Sequence, residues 1–152
     1  MTGARLDASL GDPTAYRFWT PVRIRFQDLD LLGHVNNVAL AAWLEDGRTD
    51  FEVPVQPLVP DYGGPVIVLA DLRIQYLAEV QYGDAVRVGT RIERLGRSSV
   101  VLGQAIFVGD RPAVVATAVE VLIGAASRQP EPWPEPFREY FARWLRPAPP
   151  AE

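Results

Sequence analysis

Ten consecutive residues concentrate the chemistry of this chain: Asp28-Leu29-Asp30-Leu31-Leu32-Gly33-His34-Val35-Asn36-Asn37. They hold two carboxylates two positions apart, the chain's one histidine and two adjacent amides. The rest of the composition removes most competitors. The 152 residues contain no cysteine, and all 15 basic side chains are arginine. Thiol nucleophiles, Schiff-base lysines, phosphate-loop lysines and cysteine-based metal sites are therefore excluded. A metal site would rest on carboxylates and one imidazole, which argues against zinc, and no metal is expected. The nucleophiles or bases that remain in this run are its carboxylates and the one imidazole, and Asp30 sits in front of a helix start.

Three readings of the run compete on spacing. Asp28, Asp30 and Gly33 fall where a calcium loop has its first, third and sixth residues. Leu32 then occupies a ligand position and Ala39 stands where a bidentate Glu belongs, so that reading fails. A triad of His34, an aspartate and Ser98 or Ser99 lacks any nucleophile-elbow pattern. The third reading is structural: Asp and Asn shape a turn and cap a helix, with Asn36 or Asn37 as the N-cap. Spacing leaves a reactive site and a mere cap equally open.

The flanking elements decide how the run is held. Val22, Ile24 and Phe26 alternate with Arg23, Arg25 and Gln27, which predicts a half-buried strand before it. Val38 to about Phe51 predicts a helix after it. Leu40, Ala41, Trp43 and Leu44 make its first two turns apolar on most sides, so it is expected to be buried. Gly47 weakens it slightly. Prolines and glycines from Pro54 to Pro65 form a loop. Four strands follow, over 66–77, 85–94, 98–108 and 113–123, with a hairpin-like connector at Gly109-Asp110-Arg111-Pro112. Phe137, Tyr140, Phe141, Trp144 and Leu145 lie on one stripe of a last helix, expected to pack on the domain edge.

Short turns between successive strands favour antiparallel pairing, and one long helix against such a sheet is an α+β arrangement. The expected organisation is a single domain over 16–146, a flexible lead-in over 1–15 and a disordered tail over 147–152. The helix is too apolar for one sheet to cover, which suggests a partner subunit. Net charge is −4, with 48% hydrophobic and 22% charged residues, so the chain is globular and offers no basic surface for nucleic acid or anionic lipid. No apolar stretch reaches the length of a membrane span, and the expected location is the cytoplasm.

The run resembles the acyl-CoA thioesterases of the hotdog fold, in the branch typified by 4-hydroxybenzoyl-CoA thioesterase. Their pattern is Asp-x-Asp-x-x-Gly, then His-Val-Asn-Asn, then a helix ending in acidic residues and Arg. Asp28, Asp30, Gly33, His34, Val35, Asn36, Asn37, Glu45 and Arg48 match it, and Ile74-Gln75-Tyr76 and Tyr82-Gly83-Asp84 fit the strand and turn downstream. The resemblance spans roughly Pro21 to Ile123 and implies an antiparallel sheet wrapped around the central helix, here with an extra C-terminal helix. Plant acyl-ACP thioesterases look similar through the same Asp-Leu-Asp and His-Val-Asn-Asn runs.

That resemblance implies roles residue by residue. Asp30 matches the catalytic carboxylate, acting as nucleophile on the thioester carbonyl or as general base on water. The helix-start N–H near Asn37 would hold the carbonyl oxygen as it gains charge. His34 and Asn36 would shape the loop or orient Asp30, and in the acyl-ACP branch a histidine at the place of His34 is a proposed catalyst. Gly33, Asn36 and Glu45 would lie at the substrate, with Glu45 either supporting the site or simply solvated. Without lysine, CoA phosphates would be met by arginine, with Arg73 and Arg97 as candidates. Leu40 stands where the family often has Tyr. Leu32 replaces the Asn of the acyl-ACP branch, which favours CoA as carrier. The implied protein is a homodimer or homotetramer that needs no cofactor beyond its acyl-CoA substrate. Alternatives are an acyl-ACP thioesterase, a non-catalytic acyl-thioester-binding protein of the same fold, and an enoyl-thioester hydratase.

Overall fold

A computed structural model describes residues 5–55 and 64–146 of the chain. Alternating apolar residues produce five strands: β1 (Phe18–Val22), β2 (Val66–Tyr76), β3 (Val86–Leu95), β4 (Ser99–Val108) and β5 (Arg111–Ile123). They form one antiparallel sheet in the order β1-β3-β4-β5-β2. Register shifts in the β2–β5, β3–β4 and β4–β5 pairs bend the sheet. The helix α1 (Asn37–Glu52) lies against its inner face. This is the hotdog arrangement expected from the resemblance.

The core forms between α1 and that face. Leu40, Trp43 and Leu44 pack with Val88, Ile106, Val114 and Ala116, and Phe51 packs with Ile92, Leu102 and Ala118. Gly47 is what allows the approach. A Cβ there would meet Val88 Cγ1 at 2.8 Å and Gln104 Nε2 at 3.1 Å. The second helix, α2 (Glu135–Arg143), closes the end of this core: Phe137 and Phe141 are buried with Trp133 and Phe51, and the Tyr140 hydroxyl donates to the Phe51 carbonyl at 2.7 Å. Its apolar stripe faces the domain, as expected.

Two expectations change. The strand read through Val22, Ile24 and Phe26 ends at Val22, the last residue paired with β3. The Asp28 carboxylate accepts the Arg25 N–H at 2.7 Å and turns residues 26–28 into a 3-10 turn, leaving Phe26 81% exposed. Within β1, Pro21 is tolerated because the strand is an edge.

The lead-in is the second change, since residues 5–15 pack rather than trail. Asp7 and Asp12 cap two 3-10 turns, and Leu10 and Tyr16 bury against Ala105, Phe107 and Val115 on the outer face of the sheet. The buried Arg91 guanidinium holds Ser9 through its carbonyl and hydroxyl at 3.1 and 2.9 Å. The expectations for 1–4, the loop over 56–63 and the tail over 147–152 lie outside the described residues.

Candidate active site

Between β1 and α1 the chain makes a closed loop fastened at its base. Leu29 bridges Val35, the Asp30 N–H donates to the His34 carbonyl at 2.9 Å, and Gly33 N–H donates back to the Asp30 carbonyl at 3.1 Å. Gly33 takes φ 79°, which suits a residue without a Cβ. Asp28 anchors the loop from below. It is buried, and burial pushes its carboxyl up. The side-chain and backbone hydrogen bonds and charge of Arg25 outweigh that effect and hold it below the usual carboxylate range.

Asp30 is exposed at the rim. Its Oδ1 accepts the Leu32 N–H at 2.8 Å and the His34 N–H at 3.4 Å, while Oδ2 meets no donor among the described residues. The loop therefore aims one carboxylate oxygen and leaves the other free. His34 is half-buried and turns its imidazole elsewhere: Nε2 lies 3.1 Å from Glu79 Oε2. Its backbone bridges Gln81, and the Val35 N–H donates to the Val80 carbonyl at 2.8 Å. His34 thus fastens the loop to the segment before β3 and touches Asp30 through its backbone alone.

Asn36, not Asn37, is the N-cap of α1, accepting the Ala39 N–H at 2.8 Å. Its Nδ2 and backbone N–H both donate to the Asp28 carbonyl at 2.8 Å. The same residue so ties the helix start to the base of the loop. With Ala39 and Leu40 satisfied by Asn36, the N–H groups of Asn37 and Val38 are left without an acceptor among the described residues. They sit at the positive end of the helix and can hold a developing negative charge.

The remaining candidates are spread out. Glu45 is exposed on α1 and makes no hydrogen bond or ion pair among the described residues. Leu72 and Ile74 pack inward, so Arg73 between them points to the outer face of β2. Arg97 lies in the β3–β4 turn. The ten residues of β3, roughly 30 Å of strand, separate that turn from the end where His34 meets Gln81. Ser98 lies in that far turn and Ser99 opens β4 beside it, which removes the triad. Among the described residues no group of three or more His, Asp or Glu could hold a metal ion, and no helix is long and apolar enough to cross a membrane.

Comparison with known proteins decides the family. A model of the thioesterase-like superfamily matches residues 24–144, which takes in the loop, α1, the rest of the sheet and α2. The chain belongs to that superfamily. It is similar to the PA5185 protein from Pseudomonas aeruginosa PAO1, at 27% identity over 90% of this chain and 96% of that one, with a TM-score of 0.80. A thioesterase from Thermus thermophilus, solved with coenzyme A and zinc, is 33% identical over 83% of this chain and 98% of its own, with a TM-score of 0.71. The uncharacterized protein YsmA of Bacillus subtilis is 23% identical over 130 residues, 83% of this chain and 86% of that protein.

Two side chains at this site, Arg25 and Glu79, escape sequence reasoning. Arg25 and Glu79 complete the loop, but neither belongs to the motif, and Glu79 arrives from a segment more than forty residues downstream. The helix-start N–H groups are backbone, so no side-chain pattern marks them; the resemblance implies the one near Asn37, and the structure adds that of Val38.

Proposed function

We propose that this protein hydrolyses an acyl-CoA thioester to a free carboxylic acid and CoA, with Asp30 as nucleophile or general base. The observation that carries the reading is the pairing, at one loop–helix junction, of a carboxylate with an unpaired oxygen and helix-start N–H groups without acceptors. In the nucleophilic route Asp30 attacks the thioester carbon, and the C–S bond breaks to release CoA. Water then cleaves the acyl–Asp30 anhydride. In the general-base route Asp30 takes a proton from the water that attacks. Either way the carbonyl oxygen becomes an oxyanion against the N–H groups of Asn37 and Val38. The reaction uses water and no cofactor.

Coenzyme A as carrier is supported by the relative from T. thermophilus solved with it and by the apolar Leu32. Within one chain Asp30 stands in water, where a carboxylate and two N–H groups have little leverage on a carbonyl. Leu31, Leu32, Phe26, Val38 and Tyr82 are all exposed large apolar residues of the loop, the helix start and the adjoining turn. The edge of β2, eleven residues long, is unpaired among the described residues. Such a patch and such an edge call for cover, and a second copy of the chain supplies it. The working enzyme is then a homodimer, or a homotetramer built from it. Arg97 can serve CoA phosphates only across the subunit boundary, because its own Asp30 lies at the other end of β3.

A thiol-release assay across short, long and aromatic acyl-CoAs, with an acyl-ACP included, tests the reading. Release of free thiol from acyl-CoA is expected. Thermal stabilisation by acyl-CoA without thiol release would instead identify a binding protein.

A further inference from the structure

Far from the Asp30 loop, the C-terminal half of α1 carries a polar cluster into the core. Arg48 Nε lies 3.0 Å from Glu120 Oε1 on β5, and its Nη1 donates to Gln104 Oε1 on β4 at 3.0 Å. Gln104 Nε2 in turn donates to the Leu44 carbonyl at 2.9 Å and to Thr90 Oγ1 on β3 at 3.1 Å. Glu52, the last residue of α1, completes the cluster beside Glu120. Glu52 is 7% exposed and Glu120 5%. The groups facing Glu52 are Glu120 from β5, Arg48 from its own helix and Tyr140 from α2.

The donors do not match the acceptors. Two ionised carboxylates offer only acceptors, and Glu52 Oε1 and Glu120 Oε2 are buried with no donor. They would also put two negative charges against a single guanidinium in the core, which is costly. One added proton removes both problems, since a neutral acid donates to its neighbour. We propose that Glu52 and Glu120 share one proton, Glu52 being a neutral carboxylic acid that donates to Glu120, and that this bond is a pH-sensitive latch holding the end of α1 against β5. The remaining negative charge rests on Glu120 beside Arg48.

Burial, then the hydrogen bond and charge of Glu120, push the Glu52 carboxyl up to about 10, against an ordinary value of 4.5. The folded chain therefore keeps a proton that the unfolded chain gives up. The associated stability is complete below the unfolded value and is lost as pH rises towards the folded one. Raising the pH drives that proton to water, charges Glu52 and opens the latch.

The test compares the wild type with Glu52→Gln, whose amide can make the same bond but cannot titrate. Infrared spectra at neutral pH should show a protonated carboxylic-acid C=O band in the wild type that disappears in E52Q. Urea midpoints should fall from about pH 6 to about pH 9 in the wild type and stay flatter in E52Q. Superimposable midpoint curves, or no acid band in the wild type, would overturn the proposal. So would a wild-type midpoint at neutral pH that rises with added magnesium or sodium chloride but not with equal ionic strength of a bulky organic cation. That outcome would put a metal cation, not a proton, between the carboxylates. If E52Q does not fold, the wild-type infrared band at neutral pH and its loss as pH is raised towards about 10 still decide.

Discussion

His34 Nε2 lies 3.1 Å from Glu79 Oε2, so the imidazole of the chain's one histidine is tied to the segment before β3 and not to the Asp30 carboxylate. This gives His34 a fastening role in the loop. Glu79 is mostly exposed, so its contact with the imidazole is worth little on its own. The backbone bonds of His34 and Val35 to the same segment do not depend on it and carry most of the fastening.

Asn36 does two jobs that substitutions can separate. Asn36→Ala removes both the cap and the side-chain bond to the Asp28 carbonyl, and should cost about 0.5–2 kcal/mol together with a fall in kcat. Asn36→Asp keeps the cap but loses the Nδ2 donor. Its stability should lie between wild type and alanine, as read by thermal and urea unfolding.

Asp28 governs the acid limb of stability. Its carboxyl is held low in the folded chain, so its contribution is present above the unfolded value of 3.8 and is lost as pH falls through the folded one. Asp28→Asn should cost about 1–3 kcal/mol at neutral pH and shrink the loss of stability on acidification. Urea titrations at neutral and acidic pH measure both.

Gly47→Ala separates helix propensity from packing. Propensity alone predicts a gain of about 1 kcal/mol. The contact its Cβ would make with Val88 predicts instead a loss of about 1–3 kcal/mol, because β3 sits where the methyl must go. Urea unfolding of both proteins decides the sign, and a stabilised G47A would show that α1 can lift off the sheet at little cost.

That glycine also shows where the sequence is legible. Strand alternation, the turn residues and the apolar stripes of both helices place β2 to β5, α1 and α2 within a few residues, because those signals are local. The Asp30 loop is legible for the same reason, as is a cap at Asn36 or Asn37, between which the structure selects Asn36. Long-range relations are not. Nothing near Glu79 marks it as the partner of His34, and Glu52 looks like one more charge at a helix end until β5 brings Glu120 to it. Leu10 reads as part of a loose lead-in because the surface it covers is assembled from β4 and β5. The bond from the Arg25 N–H to the Asp28 carboxylate ends β1 early, at Val22, and alternation does not encode it.

Leu32→Arg tests the cover over the site. Leu32 is 79% exposed, so the change should leave the stability of a single chain within about 0.5 kcal/mol. Sedimentation velocity should show a homo-oligomer for the wild type and a shift towards monomer for the variant, with activity falling in parallel. A monomeric wild type that is fully active would remove the partner subunit from the account.

The most direct measurement is thiol release from acyl-CoA by wild type and Asp30→Asn, with folding of both checked by circular dichroism. The account predicts thiol release by the wild type and loss of at least about a hundredfold in kcat in the folded variant. Wild-type turnover by D30N across the acyl-CoA panel would contradict it.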